Sequence, residues 1–332
     1  MSTETPQTMK AIQVHTFGGP EVFVYEDVPR PTAGPDEVLI RVHAVGVNPA
    51  DWYIRSGYMS LPERFTSSTK PPLPPLPLIV GSDVSGIIEA VGPNVTAFHR
   101  GDAVYGLIRF PPSGDVSARA YAEYVTAPVT DLAPKPASLN HLQAAAVPMA
   151  ALTVFQAILK YEHLEAGQTV LVNGAAGGLG HFAVQLVKAR GTRVIGVASG
   201  RHEAFLRELG ADEVIDYTTT PLEKVGRIAD LVIDTVTGGH DHSLLEVLKR
   251  GGTLLTFGLS YSVEREASVG VTIQRTQVHS SGAHLAKISD LIDAGQVRVA
   301  IDTVVPLAEA SKAHERGERG HLRGKIVLRA AQ

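Results

Sequence analysis

The chain of 332 residues, 44% hydrophobic and 19% charged, has room for two domains of ordinary size and lacks the charge excess of a disordered polymer. Its net charge of -4 offers no attraction toward phosphate backbones or anionic lipid, so nucleic acid and membranes are not expected partners. The absence of cysteine excludes disulfides, thiolate metal sites and a cysteine nucleophile. The opening MSTETPQTMK carries neither an apolar core nor a basic patch with a cleavage site. It reads as loose over roughly eight residues and not as a signal peptide, which makes a cytoplasmic location the expectation.

Up to Pro136, short strands at residues 38–42, 84–91, 102–105 and 122–125 alternate with glycine and proline, as in an irregular antiparallel β domain. The run Lys70-Pro71-Pro72-Leu73-Pro74-Pro75-Leu76-Pro77 cannot supply a ladder of N–H donors, so a polyproline-type surface loop is expected there. From about Ser138 to Gly282 apolar strands alternate with amphipathic helices, the pattern of a parallel sheet covered on both faces. Strands are predicted at 169–172, 193–198, 213–215, 231–234 and 253–257. The first is followed by a helix over 179–189 that places Leu179, Ala183 and Leu186 on one face. A strand-like stretch over 270–274, a helix over 284–293 and strands near 301–305 and 325–328 complete the chain.

The segment Val172-Asn173-Gly174-Ala175-Ala176-Gly177-Gly178-Leu179-Gly180 joins the first predicted strand to its helix. A nucleotide pyrophosphate needs a tight turn, bare backbone at the point of approach and helix-start N–H groups, and Gly177, Gly178 and Gly180 supply them. Alanine, at Ala175, takes the first glycine position of the usual fingerprint. At the end of the second strand, where a carboxylate would grip the ribose hydroxyls, stand Ser199 and Arg201. A hydroxyl and a guanidinium suit the 2′-phosphate of NADP better. The alternative is that Arg201 is an ordinary exposed residue at a helix start.

Several segments in order carry a family resemblance: Gly46 to Gly57, Gly81 to Gly86, Gly101 to Gly106, Ala144 to Pro148, the glycine turn, Leu209 to Asp212 leading into Ile215-Asp216-Tyr217, and Gly320 to Lys325. From Met9 to Leu328 the chain resembles a zinc-independent medium-chain dehydrogenase/reductase of the quinone oxidoreductase branch. The resemblance implies an α/β architecture with a GroES-like β domain and a Rossmann doubly wound domain. Residues 1–136 and a returning tail over 283–332 would form the first, and residues 137–282 the second. The cleft between them would hold nicotinamide and substrate. It further implies NADPH as cofactor, with Gly174, Ala175 and Leu179 joining the three glycines at the pyrophosphate. Ser199, Arg201 and Tyr217 would surround the 2′-phosphate, and Asn48, Thr153, Phe257, Gly258 and Lys325 would complete the cofactor site.

The zinc alcohol dehydrogenases of the same superfamily hold their catalytic metal with a cysteine, a histidine and a second cysteine. Asn48, Ser82 and Met149 stand at the corresponding positions, and an amide, a hydroxyl and a thioether are poor zinc ligands, so no metal is expected. Departures from the quinone reductase pattern are the long proline-rich loop, a short segment over 260–281, and Arg119 where glycine is usual. His240-Asp241-His242 reads as a solvated helix entry, since residues two apart on a helix do not face each other. Asp51 and Asp83 are either an acid pair or buried structural groups.

The expected reaction passes hydride to a quinone or to an enone or enal double bond, after which the conjugated oxygen needs a donor and the carbon a proton. Asn48 is the candidate for orienting ribose or carbonyl, and Tyr53 for donating to the acceptor. Tyr105, Phe110 and Tyr124 either line a flat apolar pocket with Tyr53 or pack in the β domain. Rival readings are an enoyl-thioester reductase and a non-catalytic NADPH-binding protein. A homodimer is expected, joined through the 270–274 edge.

Overall fold

The computed structural model describes residues 7–59, 73–111, 118–161, 164–236, 243–257 and 270–330. Strand β1 (Thr8–Val14) pairs antiparallel with β2 (Phe23–Pro29). Residues 1–6 of the expected loose start lie outside the described residues, and β1 begins at Thr8, because Met9, Ala11, Ile12 and Val14 are buried in the β-domain core. Strands β3 (Glu37–Val47), β4 (Asp83–Val91), β5 (Ala103–Leu107), β6 (Tyr124–Pro128) and β7 (Leu132–Pro134) follow, with helix α1 (Pro49–Arg55) directly after β3. Asn48 begins α1 through a capping box with Asp51, and Pro49 at the first helical position fixes the entry. The tail strands β14 (Ile301–Pro306) and β15 (Lys325–Arg329) complete this sheet in the order β14-β15-β3-β4-β5-β7, with β6 also on β3.

Helices α2 (His141–Ala145) and α3 (Pro148–Lys160) lead into six parallel strands. These are β8 (Thr169–Asn173), β9 (Arg193–Ala198), β10 (Glu213–Asp216), β11 (Ala229–Asp234), β12 (Leu248–Thr256) and β13 (Thr272–Arg275). Their order, β10-β9-β8-β11-β12-β13, is the doubly wound Rossmann order 3-2-1-4-5-6. Helix α4 (Gly180–Lys188) follows β8, α5 (Glu203–Glu208) follows β9, and α6 (Ser243–Glu246) precedes β12. Strand order reverses between β8 and β11, whose last residues Asn173 and Asp234 are partners. A crevice must open there, at the carboxyl ends of the strands. The last two helices are α7 (Gly282–Asp293) and α8 (Ala310–Glu318).

Tyr105 corrects the expected substrate pocket. Its side chain is fully buried in the core shared by β5, α3, α4 and α7, its hydroxyl donates to Leu285 O at 2.8 Å, and Ser289 Oγ lies at 2.9 Å. Burial pushes the phenol pKa up, so it is a neutral donor that pins α7 to the β sheet. Tyr105→Phe is therefore expected to cost about 1 kcal/mol in urea unfolding and to leave nicotinamide cofactor affinity unchanged, as checked by titration.

Candidate active site

The glycine turn leaves β8 at Gly174, whose φ of +71° favours glycine. Gly180 must also be glycine, since a Cβ there would stand 2.1 Å from Gly174 O. Ala175 at the first fingerprint position is accommodated by the neighbouring strand: a Cβ on Gly196 of β9 would lie 3.2 Å from the Ala175 methyl. Ala175 N donates to Val197 O at 3.0 Å and locks the turn to that strand. The tail closes over the turn from the other side, where Gly324 N donates to Ala176 O at 2.9 Å. At Gly178 a Cβ would stand 3.2 Å from Lys325 Cδ. The bare backbone of the turn thus faces a cleft of about 750 Å³, and the residues present fit a dinucleotide.

Asn48, Gly174, Gly177, Gly178, Leu179, Ser199, Arg201, Tyr217 and Lys325 line this cleft, as the sequence suggested. Ala175 and Gly180 shape it from beneath. Thr153 is buried in α3, its hydroxyl donating to Met149 O at 2.6 Å, and Phe257 packs partly buried against the core, so neither is on the wall. Gly258 and His240-Asp241-His242 lie outside the described residues. Among the described residues Tyr53 does not line the cleft, whereas its neighbour Trp52 does, packed where a Cβ on Gly317 would stand 2.8 Å from Cζ3. Phe110 also packs against the core, its N–H donating to Ser280 Oγ and its carbonyl accepting from Ser280 N, and Tyr124 lies under the Arg30 guanidinium at 3.8 Å. The proposed aromatic pocket is therefore not assembled in this cleft.

The far end of the cleft is a buried polar cluster built from three elements. The Lys325 ammonium, at the start of β15, donates to Val47 O at 2.9 Å and to Asn48 Oδ1, and stands 3.9 Å from Asp83 Oδ2. Asn48 Nδ2 donates to that same Asp83 oxygen at 3.0 Å, so the amide orientation is dictated from both sides. Asp83 Oδ1 accepts from Met149 N at 2.8 Å. Asp51 Oδ2 accepts from Asn48 N at 2.8 Å and from the Tyr121 hydroxyl at 3.2 Å. Arg55 donates to His314 Nδ1 at 2.8 Å, which leaves the Nε2–H of that ring to meet Tyr121 at 2.9 Å. The chain Arg55–His314–Tyr121–Asp51 so ties α1 to α8.

Burial pushes Asp51 up to about 7, with the Asp83 charge adding to it, and pushes Asp83 up to about 6 against the pull of Lys325. Burial lowers Lys325, opposed by both carboxylates. A raised carboxyl pKa means that the folded state holds the proton more tightly. Its stabilisation is complete below the ordinary carboxyl pKa and lost as pH rises through about 6 to 7. Asp51→Asn removes one such group while keeping an acceptor for Asn48 and Tyr121. Between about pH 5 and about pH 8 the variant should gain on the order of 2 kcal/mol relative to the wild type in urea unfolding. Parallel curves for the two proteins would show that the carboxyl does not titrate in this window.

Of the residues at the zinc-ligand positions, Asn48 has its amide engaged at both ends, Ser82 is 4% exposed, and Met149 is 7% exposed. Among the described residues no group of three His, Cys, Asp or Glu side chains could hold a metal ion.

Residues 34–137 match the family model of the alcohol dehydrogenase GroES-like domain, and residues 209–328 match that of the zinc-binding dehydrogenases. A mouse protein, the mitochondrial NAD(P)H oxidoreductase RTN4IP1, is 35% identical over 89% of this chain and 82% of its own length. The chain belongs to the medium-chain dehydrogenase/reductase family. The quinone oxidoreductase from Coxiella burnetii superposes with a TM-score of 0.84 at 34% identity, covering 98% of this chain and all of that one. A mycobacterial relative, Rv1454c, solved with NADPH, gives 0.83 at 31% identity over 97% of this chain and 100% of its own. The protein is thus a quinone oxidoreductase-like, NAD(P)H-dependent oxidoreductase with a GroES-like domain on a Rossmann domain.

Proposed function

We propose that the protein reduces quinones or activated carbon–carbon double bonds with NADPH and without zinc. The observation that carries this is the buried cluster: where related alcohol dehydrogenases hold a metal, Asn48 is locked between an ammonium and a carboxylate. That donor set offers no thiolate or imidazole to a zinc ion. NADPH, when bound, supplies the hydride. The glycine turn and the start of α4 hold the pyrophosphate, and Ser199 and Arg201 meet the 2′-phosphate from the carboxyl end of β9. Asn48, with its amide pre-oriented, sets the nicotinamide end. Tyr53, the donor the sequence suggested, stands off the cleft wall, so solvent is the proton source.

Edge strand β13, paired to β12 on one side, is the proposed seam of a homodimer that extends the parallel sheet. Light scattering should return twice the chain mass.

The deciding experiment follows NADPH absorbance against a panel of quinones, enones and acyl thioesters. Turnover with quinones or enones that survives exhaustive chelation is expected, and turnover confined to acyl thioesters would favour the enoyl-reductase reading instead. Loss of rate with removal of stoichiometric zinc would refute the metal-free assignment. Tyr53→Phe is expected to leave enone turnover at the wild-type value, because the phenol is not on the cleft wall. A loss of about a hundredfold, the usual scale for one lost oxyanion donor, would instead restore Tyr53 as the donor.

A further inference from the structure

His202 stands on the cleft wall beside Ser199, Arg201 and Tyr217, at the end where the adenosine is held. The Arg201 Nε–H donates to His202 Nε2 at 3.1 Å, so the resting imidazole is neutral, with its proton on Nδ1. That arrangement spends a guanidinium donor on a ring lone pair. A phosphate entering between the two groups reverses it, because the guanidinium can turn to the stronger acceptor and the ring can gain a proton and donate as well.

The surroundings of the ring point the same way. Burial disfavours the imidazolium, as do Arg201 from its own turn and Arg323 from the tail loop, and Asp302 of β14 favours it. Glu203, the next residue, is turned to Arg207 at 2.8 Å. Asp216, at the end of β10, is engaged by its own loop through Thr218 N at 2.9 Å and Thr218 Oγ1 at 2.7 Å. Burial, with two guanidiniums against one carboxylate, favours the neutral ring in the free protein, and a dianion placed beside it opposes that balance.

We propose that His202 is a proton-carrying ligand of the adenosine 2′-phosphate, so that the preference for NADPH over NADH strengthens as pH falls. The inference rests on the NADPH reading above and adds to it a specificity residue and the direction of its pH response. No bond to carbon is made or broken. One proton is taken from solvent onto Nε2 when NADPH binds, and none when NADH binds.

The sign follows from linkage. The bound phosphate raises the His202 pKa relative to the free protein, so the complex holds more protons and tightens as pH falls through the raised value. Each unit of that rise is a tenfold change in affinity. The test measures dissociation constants of NADPH and NADH at about pH 6.5 and about pH 8.5, where the 2′-phosphate stays mostly dianionic. The wild type and His202→Gln are compared, since glutamine keeps an acceptor for Arg201 but cannot take a proton. For the wild type, the NADH-to-NADPH ratio of dissociation constants should be about tenfold larger at the lower pH. For the variant that ratio should stay constant between the two pH values. An NADPH preference that responds to pH identically in both proteins overturns the role of His202 and leaves the cofactor assignment standing. Equal binding of the two cofactors by the wild type at both pH values overturns both.

Discussion

One buried ammonium organises the centre of this molecule. Lys325 is 4% exposed, yet its charge is balanced by Asp83 and its donors are spent on Val47 O and Asn48 Oδ1. Removing either partner of such a pair would leave a lone buried charge, which is far costlier than the pair itself. The geometry therefore holds together or not at all. It brings the first residue of β15, the end of β3 and the start of β4 to one point, with the lysine stem passing the glycine turn. The cleft exists because this point is fixed.

From it the amide of Asn48 inherits its orientation, and through the capping box α1 inherits its direction. Arg55, His314 and Tyr121 repeat the arrangement on the other side of α1, each donating to the next group along the row as far as Asp51 Oδ2, while Asp51 Oδ1 is left without a partner. Buried polar groups satisfied in this way specify one packing among many apolar alternatives. The result is a rigid β-domain wall facing the Rossmann crevice, with Trp52 set into it.

Much of this was legible in the sequence. The parallel strands declared themselves by apolar runs between glycine-marked turns, and the strand predicted over 193–198 matches β9 residue for residue. The glycine turn was readable because the pyrophosphate demands bare backbone at fixed spacing. Arg119 was noticed as a departure from glycine, and its φ of +61° shows why glycine is usual there. Strand β12 begins at Leu248, earlier than its apolar residues suggested, because it runs through polar residues and Gly251 and Gly252. The polar cluster was not legible as a unit: Asn48, Asp83 and Lys325 are far apart in the chain, and no local pattern marks a lysine that will be buried. Tyr105 stayed open between pocket and core for a related reason, since an aromatic side chain on a strand looks alike whether a helix or a ligand covers it. His202 carried no signal of its own, and only its place on the wall singles it out.

The return of the tail has a consequence for how the chain is made. Every strand of the Rossmann sheet lies between Thr169 and Arg275, and the helix α7 that packs into the same core ends at Asp293, so that module is complete before the tail strands have been synthesised. The β domain, although its first strands emerge earlier, pairs β3 with β15 and waits for the last strand. Domains generally fold as units in the order of their synthesis. Here the earlier domain is the one left with an open edge. A ribosome that stalls before Lys325 would release a nascent chain whose nucleotide-binding half is finished and whose other half offers unpaired β3 backbone to its neighbours, a template for misassembly.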